Sequence, residues 1–388
     1  MKYKLKDIFD LQMGKTPSRN NPEYWNTEDH KWISIADLTK TRKYLSETKE
    51  YLSDSAINDS GIKVIPANTV VMSFKLSIGK TAITAEDMYS NEAIMAFHDK
   101  QVVDILPEYI YYMFRFKNWD EGSNKAVMGK TLNKAALSEI EIDICSMEKQ
   151  IEIVNVLDKM MTVSEDREIE LALLDNLIKA RFVEMFGDPY VNPLKWKKLK
   201  IKDAVTIEPQ NGLYKPQSDY VTDGSGIPIL RIDGFYDGMV TDFASLKRLK
   251  CSETERQRYL LLEDDIVINR VNSIEYLGKC AHIKDLAEDT VYESNMMRMH
   301  FDPEYYNPVY ICKLLCSQFI YDQIVNHAKK SVNQASINQK DVLDFNIYQP
   351  PLDLQNEFAN FVQQVDKSKV AVQKALDETQ LLFDSLMQ

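Results

Sequence analysis

The chain has 388 residues, of which 44% are hydrophobic and 27% are charged, and its formal net charge is −12. This composition is typical of globular proteins with apolar cores, and the length predicts two or three domains. It excludes a disordered chain, and no apolar run approaches the roughly 20 residues of a membrane span. We therefore expect a soluble, cytoplasmic protein whose five cysteines, which lack CxxC spacing, are reduced thiols.

The first 145 residues contain short apolar clusters bounded by turn residues, which predict an α+β domain around a mostly antiparallel sheet. Strands are predicted at Trp32 to Leu38 and at Val70 to Met72, and a helix at Pro107 to Phe116. Polar loops at 14–20 and 128–134 carry donors that suit phosphate oxygens and base edges. The candidate nucleic-acid-binding residues of this half are Lys15, Thr16, Ser18, Arg19, Lys75, Lys80, Lys130 and Asn133.

A long amphipathic helix is predicted from Met147 to Phe186. This stretch has no Gly or Pro, its apolar residues recur at helical spacing, and Gly187 and Pro189 follow it. At about 1.5 Å per residue, such a helix is longer than a small domain is wide.

The chain after this helix repeats the first half at an offset of roughly 196 to 205 residues. Lys4 to Asp7 matches Lys200 to Asp203, Trp32 to Leu38 matches Pro228 to Gly234, Gly79-Lys80 matches Gly278-Lys279, Ser90-Asn91 matches Ser294-Asn295, and Pro107 to Phe116 matches Pro308 to Ser317. The period is too long for a solenoid repeat and predicts a duplicated domain. Polar loops recur with it, and their candidate residues are Lys215, Arg231, Arg270, Asn272, Lys279, Ser336 and Asn338.

A second long helix is predicted from about Leu352, with apolar residues close to a heptad repeat. Antiparallel pairing of the two helices would bury both apolar stripes. The predicted architecture is α+β, with two similar domains separated by long antiparallel coiled-coil helices and related by a pseudo-two-fold axis. The predicted boundaries are residues 1–145 for the first domain, 146–188 for the central helix, 189–350 for the second domain and 351–388 for the last helix.

The negative charge at first argues against a nucleic-acid partner, because phosphate binding favours a basic surface. The excess acid is local, however. Residues 1–145 and 189–350 each have a net charge of −2, whereas residues 146–188 have −5 and residues 351–388 have −3. Lysines cluster at 196–202, at 125–134 and at Lys329-Lys330. Each domain can therefore present one basic face.

Searches for catalytic patterns find no Walker loop, dinucleotide-binding glycine pattern, HExxH or GxSxG. The five histidines do not pair at metal-ligand spacing, so we predict no catalytic residue and no metal site. Gln349-Pro350-Pro351-Leu352 resembles the (Asn/Asp)-Pro-Pro-aromatic site of amino-methyltransferases, but it lacks the amino-group acceptor and the stacking aromatic residue. Two alternatives stay open at this point, a fragment of a self-contained DNA methyltransferase and a protein-binding scaffold with duplicated domains.

The order and spacing of these motifs resemble the specificity subunit of Type I restriction-modification systems over the whole chain. The residues that carry the resemblance are Lys4 to Asp7, Gly14 to Ser18, Trp32 to Leu38, Gly79-Lys80, Gly129 to Asn133, Gln150, Met185 to Asp188, Asp233, Gly278-Lys279, Ser336 to Asn338 and Gln355. The second copy departs from the pattern, because its first loop lacks the Thr-Pro-Ser run and its last helix ends without Met-Phe-Gly-Asp.

The resemblance implies a non-catalytic DNA-recognition subunit. Each target-recognition domain would read one half of a split double-stranded DNA target, and the helices would set the distance between the halves. The implied partners are modification (methyltransferase) subunits, two in number, with restriction or translocase subunits as a further expectation. No cofactor is expected in this chain, and S-adenosylmethionine is expected in the modification subunit.

Overall fold

The computed structural model of the chain describes residues 1–75, 77–119, 133–236, 238–240, 242–332 and 334–386. The chain forms two compact units. The first contains residues 1–169 and 373–388, and the second contains residues 170–372. Among the described residues, no helix has the length and apolar character needed to cross a membrane.

Antiparallel pairing dominates the sheets of the first unit. Its strands are β1 (Lys2–Lys4), β2 (Phe9–Met13), β3 (His30–Ile33), β4 (Tyr44–Leu45), β5 (Glu50–Leu52), β6 (Val70–Ser73), β7 (Thr81–Thr84), β8 (Tyr89–Ser90), β9 (Ile94–Asp99) and β10 (Glu141–Asp143). They form sheets in the orders β2-β9-β6-β7-β4, β5-β3-β8 and β1-β10. The strands β6 and β7 are buried along their whole length, so the first of these sheets lies in the core.

The helices of the first unit cover this sheet and lead into a long helix. They are α1 (Leu5–Ile8), α2 (Ile35–Lys40), α3 (Asp54–Ser60), α4 (Pro107–Phe116), α5 (Lys134–Ser138) and the first part of α6 (Met147–Phe186), with a 3₁₀ turn at Pro22–Tyr24. The helix α4 begins at a proline, whose fixed φ suits the first helical position, and it buries Ile110, Tyr111, Tyr112 and Phe114. The predicted bounds of α4 and α6 are confirmed.

The second unit has a larger set of strands. They are β11 (Lys197–Lys200), β12 (Val205–Asn211), β13 (Tyr220–Val221), β14 (Ile227–Leu230), β15 (Phe235–Tyr236), β16 (Gly238–Val240), β17 (Arg248–Leu249), β18 (Ile266–Asn269), β19 (Val271–Asn272), β20 (Cys280–His282), β21 (Val291–Tyr292), β22 (Met296–Phe301), β23 (Lys329–Lys330), β24 (Ala335–Ser336) and β25 (Asn346–Gln349). The sheets have the orders β12-β22-β18-β20-β16-β15, β13-β17-β14-β21, β11-β25 and β19-β24-β23. We call the last of these the small sheet.

The second unit ends in another long helix. Its helices are the last part of α6, α7 (Glu253–Tyr259), α8 (Pro308–Leu315), α9 (Gln318–His327), α10 (Gln339–Leu343) and the first part of α11 (Leu352–Leu386), and 3₁₀ turns lie at Ile201–Asp203, Gln217–Asp219 and Ile274–Tyr276. Pro350 and Pro351 separate β25 from α11. This position agrees with a role in breaking the strand before the helix.

The two units repeat one sheet topology. The order β2-β9-β6-β7-β4 of the first unit recurs as β12-β22-β18-β20-β16 in the second. At the same turn of each copy, Gly79 and Gly278 adopt φ values of 90° and 80°. Their amides donate to the carbonyls of Ser73 and Asn269, both at 2.9 Å. The predicted duplication of an α+β domain is confirmed.

The predicted strand from Trp32 to Leu38 is wrong beyond Ile33. Ser34 caps the helix α2 instead: its side chain accepts from the Asp37 amide, and the Asp37 carboxylate accepts from the Ser34 amide at 2.8 Å. This reciprocal pattern is a capping box. It satisfies the Ser34 and Asp37 amides within the turn, whereas in a strand these amides would donate to a neighbouring strand.

Two of the matches between the copies are also out of register. Ile33 pairs with Ser90, whereas its counterpart Leu230 pairs with Tyr292. Ser90 therefore corresponds to Tyr292 and not to Ser294, and the strand match that placed Trp32 against Pro228 is shifted by one residue. The loops between the strands differ in length in the two copies. Short matching motifs inside such loops do not show at which residue the insertion lies.

The long helix α11 packs against α6 in the second unit and against α4 in the first. In the second unit, the Phe182 and Phe358 rings are 5.5 Å apart, Arg181 pairs with Glu357 at 3.1 Å, and Lys369 pairs with Asp175. The order of these pairs is antiparallel, as predicted. In the first unit, the Phe116 ring contacts Phe383 from the end of α11 at 4.4 Å.

The sequence pattern placed Ile151 in the apolar stripe of α6, and Leu382 and Leu386 in that of α11, and these three predictions are wrong, since Leu386 too is 53% exposed. Ile151 is 46% exposed and Leu382 is 57% exposed, while Phe383 is only 5% exposed. Val372 and Phe383 are eleven residues apart, which is close to three turns of a straight helix. Phe383 therefore lies on the same buried face of the helix as Val372, whereas a strict heptad repeat would have placed Leu382 on that face.

Candidate nucleic-acid interface

Three loops of the second unit meet where strands β14, β18 and β21 end. The Arg270 amide donates to the Asn295 carbonyl at 2.8 Å, and its guanidinium donates to the Ser294 carbonyl at 3.2 Å. The Arg270 carbonyl accepts from the Ile337 amide at 3.0 Å. The loop at 293–295, the end of β18 and the segment before α10 are therefore neighbours.

The small sheet brings candidate residues from distant parts of the chain together. Val271 pairs with Ser336, and Asn272 pairs with Ala335. On the other side of β24, Lys329 pairs with Ser336. The predicted residues Arg270, Asn272 and Ser336 thus lie on adjacent strands or at their ends, beside the exposed Lys329 and Lys330. Because side chains alternate along a strand, Asn272 and Lys330 lie on one face of the small sheet, and Ser336 and Lys329 lie on the other.

Asn338 has a second role at this surface. Its side-chain oxygen accepts from the amides of Lys340 and Asp341, at 2.9 and 3.1 Å, and so caps α10. In the first unit, Asn133 caps α5 in the same way through the Ala136 amide, at 2.8 Å. Both residues therefore use the side-chain oxygen to cap the first turn of a helix.

The first polar loop of the second unit, at 211–216, joins the same surface. The Ser294 amide donates to the Leu213 carbonyl at 3.0 Å, and the following residue, Tyr214, is 78% exposed. Lys215 turns inward and pairs with Glu255 at 2.9 Å and with Asp219 at 3.5 Å. The hydrogen bond to Glu255 raises the pKa of Lys215. Lys215 therefore has two acidic partners within the unit, and this neutralises much of its attraction for phosphate.

Arg231 lies beside the same loops in an acidic setting. Its guanidinium is 3.6 Å from Glu293 and 3.6 Å from Asp233, and it donates to the Tyr220 hydroxyl at 3.1 Å. Burial raises the pKa of Glu293, and the Arg231 charge opposes this shift. The ion pair with Glu293 thus lets Arg231 hold the loop at 293–295 in place.

Lys279 lies between two aromatic rings. Its ammonium is 4.4 Å from the centre of the Tyr236 ring and 4.5 Å from that of Tyr276, and both rings are about half exposed. Cation–π attraction to two rings holds this lysine in place. Its counterpart Lys80 donates to the Thr39 hydroxyl instead.

The loops of the first unit meet in the same manner. The Lys15 amide donates to the Ser90 carbonyl at 2.8 Å, the Asn91 amide to Ile33 at 3.1 Å, and the Phe74 amide to Ala93 at 3.0 Å. Gly14 lies so close to the backbone of Ser90 and Asn91 that an added Cβ would overlap their carbonyls. Gly212 makes the equivalent close approach in the second unit, so glycine is required at this junction.

The side chains of this loop set have mixed partners. Thr16 donates to Glu92, and this hydrogen bond lowers the Glu92 pKa, with smaller contributions from the Lys75 and Arg19 charges. The exposed Lys15 donates to the Ser60 carbonyl. Lys75 lies 5.2 Å from the Phe74 ring. A carboxylate therefore lies among the cations predicted to contact DNA.

Arg19 and Ser18 lie at the far end of the same loop. The Arg19 guanidinium stacks 3.7 Å from the Trp25 ring and pairs with Glu50. The Ser18 carbonyl accepts from the Trp25 indole at 3.1 Å. Lys130 and the rest of the predicted loop up to residue 132 lie outside the described residues, so this prediction is neither supported nor contradicted.

Sequence reasoning missed the position of two groups. It named Lys329 and Lys330 as a basic cluster and the exposed Tyr214 as part of a polar loop, but it included none of the three among the candidate residues. The stretch has neither β-branched runs nor a glycine-containing turn, so the usual hairpin signals could not have placed the lysines beside Ser336. Within the described residues, no cluster of three or more His, Cys, Asp or Glu side chains is arranged to hold a metal ion.

Comparison with known proteins agrees with this duplicated arrangement. A family model described as the Type I restriction modification DNA specificity domain matches residues 1–172 and 193–379. The MjaIX specificity subunit of Methanocaldococcus jannaschii is 23% identical over 415 residues, covering 99% of this chain and 90% of that protein. The EcoKI specificity subunit of Escherichia coli is 25% identical over 271 residues, covering 66% of this chain and 57% of that protein.

Solved structures share the fold at low sequence identity. A chain from a structural study of type I R-M system assembly and conformational transition has a TM-score of 0.64 at 15% identity, covering 100% of this chain and 96% of its own. The crystal structure of a Type-I restriction-modification S subunit from M. genitalium has a TM-score of 0.53 at 13% identity, with 100% and 94% coverage. Because the family model matches both halves of the duplication, this chain belongs to the Type I restriction-modification DNA-specificity family and is a specificity subunit that recognises DNA.

Proposed function

We propose that this chain reads a split double-stranded DNA target, with one short base cluster recognised by each unit. The observation that carries this proposal is the recurrence of the loop junction. In both copies, backbone hydrogen bonds bring three segments together. They are the first polar loop (14–20 or 211–216), the loop at 91–93 or 293–295, and the end of the buried strand β6 or β18. Two equivalent surfaces in one chain suit two separate half-sites.

The chemistry of the second surface supports base reading. Arg270, Asn272 and Ser336 are donors or acceptors on adjacent strands, and Arg and Asn side chains can form paired hydrogen bonds to guanine and adenine. Lys329 and Lys330 lie beside them and can contact phosphates, which position a protein on DNA without specifying sequence. The loop side chains of the first unit have different partners from those of the second unit. This difference agrees with recognition of a different half-site.

The long helices support a docking role. In the second unit, Leu173, Leu177 and Val183 of α6 are 61%, 47% and 51% exposed. Apolar side chains exposed along a helix suit contact with another protein. We assign this contact to modification subunits, expected to be two, and we expect restriction or translocase subunits to bind the same assembly.

Catalysis would then belong to the partners. The methyl donor S-adenosylmethionine would bind the modification subunit, and this chain would supply the sequence preference. The test is methyl transfer to duplex DNA by the purified chain, by the modification subunit and by the two together. We expect transfer at a two-part sequence only with both present, and methyl transfer by this chain alone would contradict the proposal.

A further inference from the structure

The β23–β24 hairpin places an apolar side chain at its tip. The Ser331 amide donates to the Gln334 carbonyl at 2.7 Å, and the Ser331 hydroxyl donates to the same oxygen at 3.0 Å, which closes the turn. Val332, inside this turn, is 98% exposed. Single exposed apolar residues are common on proteins, so exposure alone assigns no role to Val332.

The surroundings of Val332 are what distinguish it. Lys329 and Lys330 lead into the turn and are exposed, and the hairpin is paired through Ser336 and Ala335 with β19. The strand β19 carries Asn272 and directly follows Arg270. The apolar tip thus projects from the end of the small sheet nearest Asn272, with two cations behind it.

This shape and chemistry match the major groove. The groove is about 12 Å wide and admits a two-stranded β-ribbon. Lysines along the sides of a ribbon meet the phosphates at the groove walls, and the tip meets the base edges. The apolar feature presented by base edges in this groove is the C5-methyl group of thymine.

We propose that Val332 is a specificity-determining residue that contacts the methyl group of one thymine in the second half-site. The inference rests on the proposed function, since it names one contact made by the same DNA-reading surface. Lys329 and Lys330 hold the hairpin against the backbone, and Val332 distinguishes a thymine from a base without the methyl group at the position it reaches.

The test uses the assembled complex of the full chain and its modification subunit, bound to its target duplex. Each thymine of the second half-site is replaced singly by deoxyuridine, which lacks only the methyl group. At one position, we expect affinity to fall about fourfold, the value for one buried methyl-sized group. The V332A complex should lose about the same factor on thymine DNA and then lose nothing further with deoxyuridine at that position.

A matched control is V191A, because Val191 is 71% exposed in the loop after α6. The V191A complex should keep the wild-type response to deoxyuridine. The inference is overturned if V332A binds like wild type, if the two losses add, or if no second-half thymine responds or exists. Specific wild-type binding that is insensitive to deoxyuridine overturns this inference alone. A wild-type complex without any sequence preference overturns the proposed function together with it.

Discussion

Gln150 and Gln355 occupy equivalent positions in the two copies and make the same three hydrogen bonds. The Gln150 amide accepts from the Leu106 N–H at 2.9 Å and donates to the carbonyls of Asp104 and Cys145. The Gln355 amide accepts from the Asn307 N–H at 2.9 Å and donates to Tyr305 and Pro350. Each is completely buried. In each copy, this buried glutamine therefore joins the domain to the start of the long helix that follows it.

Replacing this amide should destabilise the protein strongly. Gln355→Leu leaves the Asn307 N–H and two carbonyls without their partner, and each orphaned buried group costs roughly 1–3 kcal/mol. Thermal denaturation of the full chain should show a clear fall in melting temperature. Gln363→Leu, at an exposed site of the same helix, is the control and should change little. Equal melting curves for both variants would show that the buried amide does not fasten the domain.

The second prediction concerns base reading by Arg270. Arg270→Ala removes a side chain able to form two hydrogen bonds to guanine, so it should cost about 1–3 kcal/mol at one position of the second half-site. Arg270→Lys keeps the charge without the planar fork, so it should keep non-specific affinity but relax the same position. The measurement is affinity for duplexes altered one base pair at a time. A change of preference in the first half-site would show that the two readers are not independent.

The third prediction separates lysines by their partners. Lys330→Ala should reduce the dependence of log affinity on log salt by about 1, since it removes one phosphate contact. Lys215→Ala should leave this slope nearly unchanged, because Lys215 already pairs with Glu255 and Asp219. Binding to a non-specific duplex over a range of salt concentrations measures both. A larger slope change for Lys215 than for Lys330 would reverse the assignment.

The fourth prediction tests the packing of the long helices. Leu174 packs against the core of the second unit, whereas its neighbour Leu173 is 61% exposed. Leu174→Asp should therefore cost a few kcal/mol of unfolding free energy through burial of a charge, and Leu173→Asp should cost little. Chemical denaturation of the full chain gives the two values. Similar losses for both would mean that the helix presents a different face to the core.

The fifth prediction is a pH dependence. Burial lowers the pKa of His282, and the hydrogen bond to Asp264 at 2.8 Å only partly opposes this. The unfolded chain therefore takes up a proton near pH 6.5 that the folded chain still refuses, so stability falls as pH drops through that value. His282→Gln should lose less stability between about pH 7.5 and about pH 5.5 than the wild type. An unchanged slope would exclude His282 as the cause.

Much of the fold could be predicted because it follows from local patterns. The helix from Met147 to Phe186 is confirmed at both ends, since uninterrupted helical spacing and a following glycine are local signals. The error at Ser34 is also local. Ser-Ile-Ala-Asp fits a capping box, but the alternating apolar residues before it favoured a longer strand.

The partners of the candidate site residues could not be predicted in this way. Lys215 meets Glu255 across forty residues of chain, and Lys279 lies between Tyr236 and Tyr276. Such contacts depend on how strands and loops meet in space, which spacing along the chain does not reveal. The side chains named as DNA-binding are therefore still predictions, and the structure distinguishes those with acidic or aromatic partners from those on the open surface.

The most direct test of the central claim is the methylated motif in cells that carry this chain with its modification subunit, compared with cells that carry the Arg270→Ala variant. Sequencing that detects methylated bases gives the motif in each case. We predict a motif of two short base clusters separated by an unspecified spacer, in which the variant relaxes one cluster and leaves the other unchanged. A single continuous motif, or a variant that alters both clusters, would contradict recognition by two independent units.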